Sequence, residues 1–277
     1  MTGFLNIYKE AGDTSTFAVS RVKKLTHTPS GHMGTLDPLA SGVLPVGVGN
    51  AARLFDFFLD KTKIYLAHFR FGVTTDTLDG EGAVRPAGRV PSAAEIESVL
   101  PCFVGEIDQL PPIFSAKSVG GKRSYELARA GKEVTLSPKR VRIEGIELLE
   151  QTGADEFSFR ITCGGGTYIR ALARDLAQKL GTGAYMSGLL RERSGPFSLE
   201  TAVRLSDLTP ENVEEHLIPT DSVLPFPSMT VEDKRYFQGV RLPCAREDGL
   251  YKIYSAEGFY GLGRVEGGEL RPEKKLC

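Results

Sequence analysis

The chain has 277 residues, 41% hydrophobic and 25% charged, the composition of an ordinary globular protein of one large domain or two. Its 34 Lys plus Arg against 35 Asp plus Glu give a formal net charge of -1, which excludes a histone-like basic tail and names no partner. No run approaches the roughly 18 apolar residues of a membrane span, and the opening MTGFLNIYKE lacks a signal-peptide layout, so a cytoplasmic protein is expected.

Residues 3–9 (GFLNIYK) read as a short buried strand, after which Ser15 is placed to cap a helix through Leu25 with Val19 and Val22 inward. From Thr26 to Asn50 five glycines and three prolines preclude a long regular element, which predicts a long functional loop ending in a short apolar strand. Asn50 is a candidate cap for the helix AARLFDFFLDK, where Leu54 and Phe58 share a face. Strict alternation of Tyr65, Ala67, Phe69 and Phe71 predicts a strand over 63–72. Ser92 and Glu95 form a capping-box signature ahead of Ile96, Val99 and Leu100, with Pro101 as the stop. Alternation at Val141 and Ile143, and again at Phe157, Phe159 and Ile161, predicts a hairpin turning near Thr152 and Gly153. In YIRALARDLAQKLG, Ile169, Leu172, Ala173, Leu176 and Leu180 form one apolar stripe, closed by Gly181.

The LPFPS stretch at 224–228 marks a boundary, dividing the chain into 1–223 and a small β-rich unit at 229–277. Adjacent strands outnumber crossover-length helices, so the expected fold is α+β: a mixed, largely antiparallel sheet flanked by helices, with a small C-terminal β appendage. The four cysteines form no CxxC pair and the four histidines no HxxxH spacing, so reduced thiols and no metal are predicted.

Charge is unevenly spread. Residues 1–75 carry +3 (8 basic, 5 acidic), residues 110–145 carry +5 (8 and 3) and residues 160–197 carry +4 (6 and 2). If the fold brings these stretches together, a neutral protein acquires one basic cleft suited to phosphates; the plainer alternative is solvated surface charge.

Asp37 sits in GHMGTLDPLASGVLPV, where Pro38 restricts its backbone to an extended conformation and the glycines allow close approach. On spacing alone, Asp-Pro reads first as a turn opener. The CGGGTYIR segment suits an anion or a close backbone contact at a helix start, or simply a tight strand-to-helix turn. No phosphate loop or dinucleotide fingerprint is present.

Five ordered blocks then carry a resemblance: GHMGTLDPLASGVLPV (31–46), KIYLAHFRFGVTTDTLDGEG (63–82), PPIFSAKSVGGKRSYELARAG (111–131), GGGTYIRALARDLA (164–177) and LLRERSGPF (189–197). Their order and spacing resemble the TruB family of tRNA pseudouridine synthases, in its bacterial stand-alone branch. The resemblance implies the pseudouridine synthase fold and isomerisation of uridine 55 in the T-arm loop of tRNA, with no cofactor, no metal and no obligatory protein partner, by a monomer. The reaction breaks the N1–C1' bond, turns the base and rejoins C5 to C1'. Asp37 matches the family's essential aspartate, which either attacks C1' or removes a C2' proton. Arg170 matches the arginine that pairs with it, Tyr65 the tyrosine that stacks on the base and helps remove the C5 proton, Tyr168 a tyrosine beside the arginine, and His32 the histidine that supports the RNA loop. Lys9, Lys117, Lys122, Arg123 and Arg129 are the expected substrate contacts.

Three departures stand out. Lys9 is followed by Glu10 rather than proline, Met33 replaces a small residue, and Gly165 replaces a lysine. The tail is also shorter than a full PUA RNA-binding domain. A tRNA-folding chaperone and an RNA-guided synthase subunit are the alternative functions. A two-carboxylate glycosidase is disfavoured because no second acid has a setting comparable to that of Asp37.

Overall fold

Side chains that alternate along a strand can cover one face of a sheet continuously, and the 63–71 segment does so with Tyr65, Ala67, Phe69 and Phe71 all buried. A computed structural model describes residues 1–59, 61–115, 118–119, 121–124, 127, 130 and 135–277. Among these, a ten-stranded sheet comprises β1 (Gly3–Lys9), β2 (Ser30–His32), β3 (Ser41–Val48), β4 (Lys63–Phe71), β5 (Gly105–Gln109), β6 (Lys139–Gln151), β7 (Glu156–Cys163), β8 (Ala184–Ser194), β9 (Phe197–Ser198) and β10 (Val203–Arg204). The order is β10-β1-β3-β8-β4-β7-β6-β5, with β2 against β3 and β9 against β8. Among the described strands of this sheet only β1–β10 and β3–β8 pair in parallel, so it is the mixed, largely antiparallel one expected of an α+β fold.

Helices α1 (Ser15–Thr26), α3 (Ala93–Val99) and α4 (Ile169–Lys179) share one core with the sheet, through Ala18 and Val22, Ile96, and the stripe of Leu172, Ala173 and Leu176. Truncating fully buried Leu176 to Ala would cost about 2–5 kcal/mol by the lost burial and the cavity left. The α3 start is the capping box read from sequence, since Ser92 Oγ accepts from the Glu95 amide and the Glu95 carboxylate accepts from the Ser92 amide. Ser92→Ala is therefore expected to lower stability by about 1 kcal/mol, seen as a shifted denaturant midpoint at unchanged slope.

Local details differ from the sequence expectations where a side chain finds a longer-range partner. Thr14, not Ser15, caps α1, because the Ser15 hydroxyl is engaged across the fold by Leu36. The long loop is shorter than expected, because Gly-rich and Pro-containing residues 41–48 extend as β3 between β1 and β8. AARLFDFFLDK splits into a 3-10 turn, Gly49–Leu54, and a single helical turn, α2 (Phe55–Leu59). Asn50 does not cap it; its amide donates to the carbonyl of Cys277 at 2.7 Å.

A separate five-stranded sheet holds β11 (Ser228–Thr230), β12 (Leu242–Pro243), β13 (Gly249–Ser255), β14 (Gly258–Glu266) and β15 (Glu269–Lys275), in the order β11-β13-β14-β15-β12. Its own core gathers Tyr236, Tyr251, Ile253, Val265 and Leu270. Leu262 and Leu276 join a second cluster with Phe4, Phe58 and Phe197 of the larger unit, and Arg53 and Lys274 exchange hydrogen bonds with the carbonyls of Lys275 and Arg53. No helix of the described residues is long and apolar enough to cross a membrane.

Candidate active site

The Gly-rich segment is held at several points, and this fixes where Asp37 can be. The Ser15 hydroxyl both donates to the Leu36 carbonyl (2.8 Å) and accepts from its amide (2.9 Å). On the other side of Asp37, the Pro38 carbonyl accepts from the Gly12 amide at 2.8 Å and from Lys9 Nζ at 3.2 Å. Arg191 donates to the carbonyls of Gly34 and Thr35. A loop clamped on both flanks of one residue presents that residue's side chain with little freedom to wander.

Asp37 meets Arg170, the second residue of α4, at 2.9 Å between Oδ2 and Nε. The Nε hydrogen does not point at the oxygen, so the contact is an ion pair rather than a directed hydrogen bond. The two side chains differ in exposure: 35% for Asp37 and 7% for Arg170. The cation is walled in while one flank of the carboxylate stays open, which is the asymmetry a reacting carboxylate requires.

The other end of the guanidinium reaches a residue the sequence reading did not single out. Asp79 Oδ2 lies 3.1 Å from Arg170 Nη1, which also donates to the Thr77 carbonyl at 3.1 Å. Asp79 is buried, and its Oδ1 accepts from the Thr77 hydroxyl (2.6 Å) and the Glu81 amide (3.1 Å). Leu78 beside it has φ +61, a strained value for a branched side chain, and its carbonyl is tied to the Met186 amide of β8. A second acid of comparable setting thus exists, but it is enclosed and fully engaged in holding the arginine. Two aspartates spaced three apart in TTDTLD offer no periodic signal separating the buried one from its exposed neighbour Asp76.

Tyr168 caps α4 without a side-chain cap of its own. Buried Gln109 of β5 supplies the missing partner, accepting from the Tyr168 amide at 2.8 Å and donating to its carbonyl at 3.1 Å. Burial pushes the Tyr168 phenol above its usual range. Tyr65 is 8% exposed in the middle of β4, opposite Ile161 on one side and Arg191 on the other. Burial raises its phenol to about 12, so it is neutral at pH 7.

His32 lies at the end of β2, half-buried, its Nδ1 without a hydrogen-bond partner among the described residues. Burial and then the Arg191 charge push it below its ordinary 6.5, keeping it neutral. Below pH 6.5 the unfolded chain takes up a proton at this position that the folded chain refuses, so stability falls as pH falls through that range. The melting temperature of the wild type is expected to decline more steeply below pH 6.5 than that of His32→Asn.

Lys9 is among the substrate contacts expected from the sequence. It is wholly buried, its amine donates to the carbonyls of Glu10 (2.9 Å), Asp13 (2.6 Å) and Pro38, and burial lowers it to about 8. Two of these bonds hold the turn before α1 and the third, to Pro38, ties that turn to the Asp37 loop, so Lys9 braces the loop from within. Lys117 and Arg129 lie outside the described residues, as do the side chains of Lys122 and Arg123 in the short ribbon Ser118–Val119 with Lys122–Arg123.

Two of the three basic stretches, 1–75 and 160–197, meet in the interior, where Lys9, Arg170 and Arg191 surround the Asp37 loop. At the surface Arg70, Arg140 and Arg160 pair with Asp155, Asp108 and Glu192, which weakens the expected basic face.

Comparison with known proteins places this geometry in a family context. Residues 22–169 match the model described as "TruB family pseudouridylate synthase (N terminal domain)", and residues 170–225 the "tRNA pseudouridylate synthase B C-terminal domain". The chain is 41% identical over 289 residues to "tRNA pseudouridine synthase B" of Aquifex aeolicus (strain VF5), covering 100% of both, and 38% identical over 294 residues to the protein of that name from Clostridium perfringens (strain SM101 / Type A), covering 100% of this chain and 99% of the relative. Among solved structures, a chain of the "Crystal Structure of a Cbf5-Nop10-Gar1 Complex" superposes with TM-score 0.73 at 27% identity, over 99% of this chain and 85% of that one.

Proposed function

The chain belongs to the TruB family of pseudouridylate synthases, and from that membership we infer that Asp37 is the residue on which its chemistry turns. The protein is a tRNA pseudouridine synthase, an isomerase that converts uridine to pseudouridine in tRNA. We place the target at uridine 55 of the T-arm loop. A single observation carries the residue assignment: a half-open carboxylate at 2.9 Å from an almost wholly buried guanidinium, on a loop clamped from both flanks.

In this reading the target nucleotide leaves its stack, at a cost of a few kcal/mol, and its ribose approaches Asp37. Arg170 keeps the carboxylate oriented and anionic while the N1–C1' bond breaks, whether Asp37 attacks C1' or removes the C2' proton. Asp79, Thr77 and the α4 start hold the arginine in turn. Tyr65 and Tyr168 flank the detached base, and stacking of about 1–3 kcal/mol per base offsets part of the extrusion cost. Once C5 has joined C1', the C5 proton leaves and N1 gains one; Tyr65 acts in this exchange by passing its phenol proton to water and accepting the one from C5, and His32 supports the RNA loop. No metal or cofactor enters these steps.

We propose that the purified chain acts as a monomer without guide RNA or partner protein. Incubated alone with a T-arm hairpin tritiated at uridine C5, it should release tritium, and a hairpin with cytidine at position 55 should block release from that site. The likeness to a chain crystallised in a Cbf5-Nop10-Gar1 complex favours a second reading, an RNA-guided subunit. Release only after adding guide RNA and partner proteins would select it, and tight binding without any release would select a folding chaperone.

A further inference from the structure

Helix α1 carries Arg21, Lys23 and Lys24 and no acid, and it leaves an aromatic ring in solvent. Phe17 is 48% exposed, the most exposed aromatic side chain among the described residues. It occupies the third helical position, where its amide bonds the Thr14 cap and where Glu would complete a capping box and suit the helix dipole. Neither local stability nor core packing accounts for a phenylalanine there. At about 3.6 residues per turn, Phe17, Arg21 and Lys24 fall within about 60° of one another round the axis and form one stripe. Lys23 points roughly 120° away from Phe17.

The stripe lines a groove of about 440 Å³, within the range of about 300–1,000 Å³ that small ligands occupy. β1 and β10 contribute Tyr8 and Arg204 to it, and the turn into α1 contributes Glu10 and Asp13. Both acids are already answered. Glu10 is ion-paired with Arg204, whose guanidinium also lies 4.9 Å over the Tyr8 ring, and Asp13 sits at the N-terminal end of α1, where the dipole favours an anion. The side chains of Arg21 and Lys24 pair with nothing among the described residues. The dipole is reason enough for Lys23 and Lys24 in the last turn, but not for Arg21 before it. Near its start α1 is bonded to the segment that presents Asp37, through Ser15 and Leu36, and it packs against β2, which ends at His32. The groove therefore adjoins the mouth of the site.

We infer that this groove takes an RNA strand of the substrate beside the extruded nucleotide, with one base stacked on Phe17 and backbone phosphates met by Arg21 and Lys24. The inference rests on the synthase reading above, which supplies the polyanion. Helical neighbours of this kind have Cβ atoms about 5–6 Å apart, so two long cationic side chains reach neighbouring phosphates of one strand. An exposed aromatic face beside them accepts any base, because every base has a π-face. Such contacts add affinity and fix the path of the strand without reading its sequence.

The test titrates the full chain with an unmodified tRNA transcript by filter binding at several salt concentrations. Arg21→Gln combined with Lys24→Gln should weaken binding at least about fivefold and make the log–log salt slope shallower by about 1.4, at about 0.7 per single-strand phosphate. Phe17→Ser should also weaken binding at least about fivefold, at an unchanged slope. Lys23→Gln removes a cation from another face of the same helix and should leave affinity and slope near the wild-type values. All four side chains are exposed, so the variants should melt close to the wild-type temperature. Wild-type affinity in Phe17→Ser or in the double variant, a loss by the double variant at unchanged slope, or an equal loss in Lys23→Gln would overturn the inference. If the variants bind as stated but the wild type forms no pseudouridine, the synthase reading fails and the groove stands; if pseudouridine forms and the variants bind like the wild type, only the groove fails.

Discussion

Asp37→Asn should abolish tritium release from uridine C5, slowing single-turnover reaction by at least about 10³-fold, while tRNA binding stays near the wild-type value. The substitution is isosteric, and the contacts that place the loop are made by neighbouring main-chain atoms of residues 34–36 and 38, so position is retained and the charge is lost. An amide can neither act as the nucleophile nor take the C2' proton. Stability should change little, because Arg170 keeps Asp79 and the Thr77 carbonyl. Filter binding separates the two readouts, and equal release by variant and wild type would remove Asp37 from the centre of the mechanism.

Arg170 should show the opposite balance, with stability and activity falling together. In Arg170→Met the carboxylate of Asp79, with its side chain 6% exposed, is left without its cation, which costs about 3–5 kcal/mol and moves the denaturant midpoint accordingly. Arg170→Lys keeps a charge but cannot serve Asp37, Asp79 and the Thr77 carbonyl from one planar fork, so it should be more stable than the Met variant and still severely impaired. Pairing Arg170→Met with Asp79→Leu should recover much of the stability and none of the activity. If the double variant is as unstable as Arg170→Met alone, the buried charge of Asp79 is not the source of the loss.

The elements that could be read in the sequence are those whose cause is local. Period-2 alternation located β4 and the β6–β7 hairpin, and Ser92 with Glu95 located the start of α3, because each signal lies within a few residues of its effect. Ser15 and Asn50 were misread as caps for the complementary reason: each offers the right side chain locally, but Leu36 and Cys277, 21 and 227 positions away, claim it. β3 is legible only as a short apolar strand closing the loop, because Gly42, Gly47 and Pro45 look like loop residues; its pairing with β1 from Gly42 to Val48 and the close approach of Gly42 to Arg191 of β8 lengthen it. In the site, Asp37 and Arg170 became visible through the family blocks, and the structure brings them into contact. Asp79 and Gln109 were not visible, since a buried carboxylate and a buried carboxamide carry no pattern that distinguishes them from solvated ones. Lys9 was read as a substrate contact because a strand-end lysine gives no hint that three carbonyls will enclose it.

The parallel seam between β3 and β8 has a further consequence for how this protein acquires and loses its activity. Gly42 and Arg191 meet across 149 positions of chain, and the Asp37–Arg170 and Asp79–Arg170 pairs also join segments that are remote in sequence. Closing such contacts is slow and occurs only when most of the sheet has assembled, because the entropy of the intervening chain must first be overcome. No hairpin or helix pair of this fold holds a working fraction of the site. Turnover is thus a reporter of the finished sheet: during refolding, activity should return with the slowest tertiary phase rather than with the early gain of helix and strand.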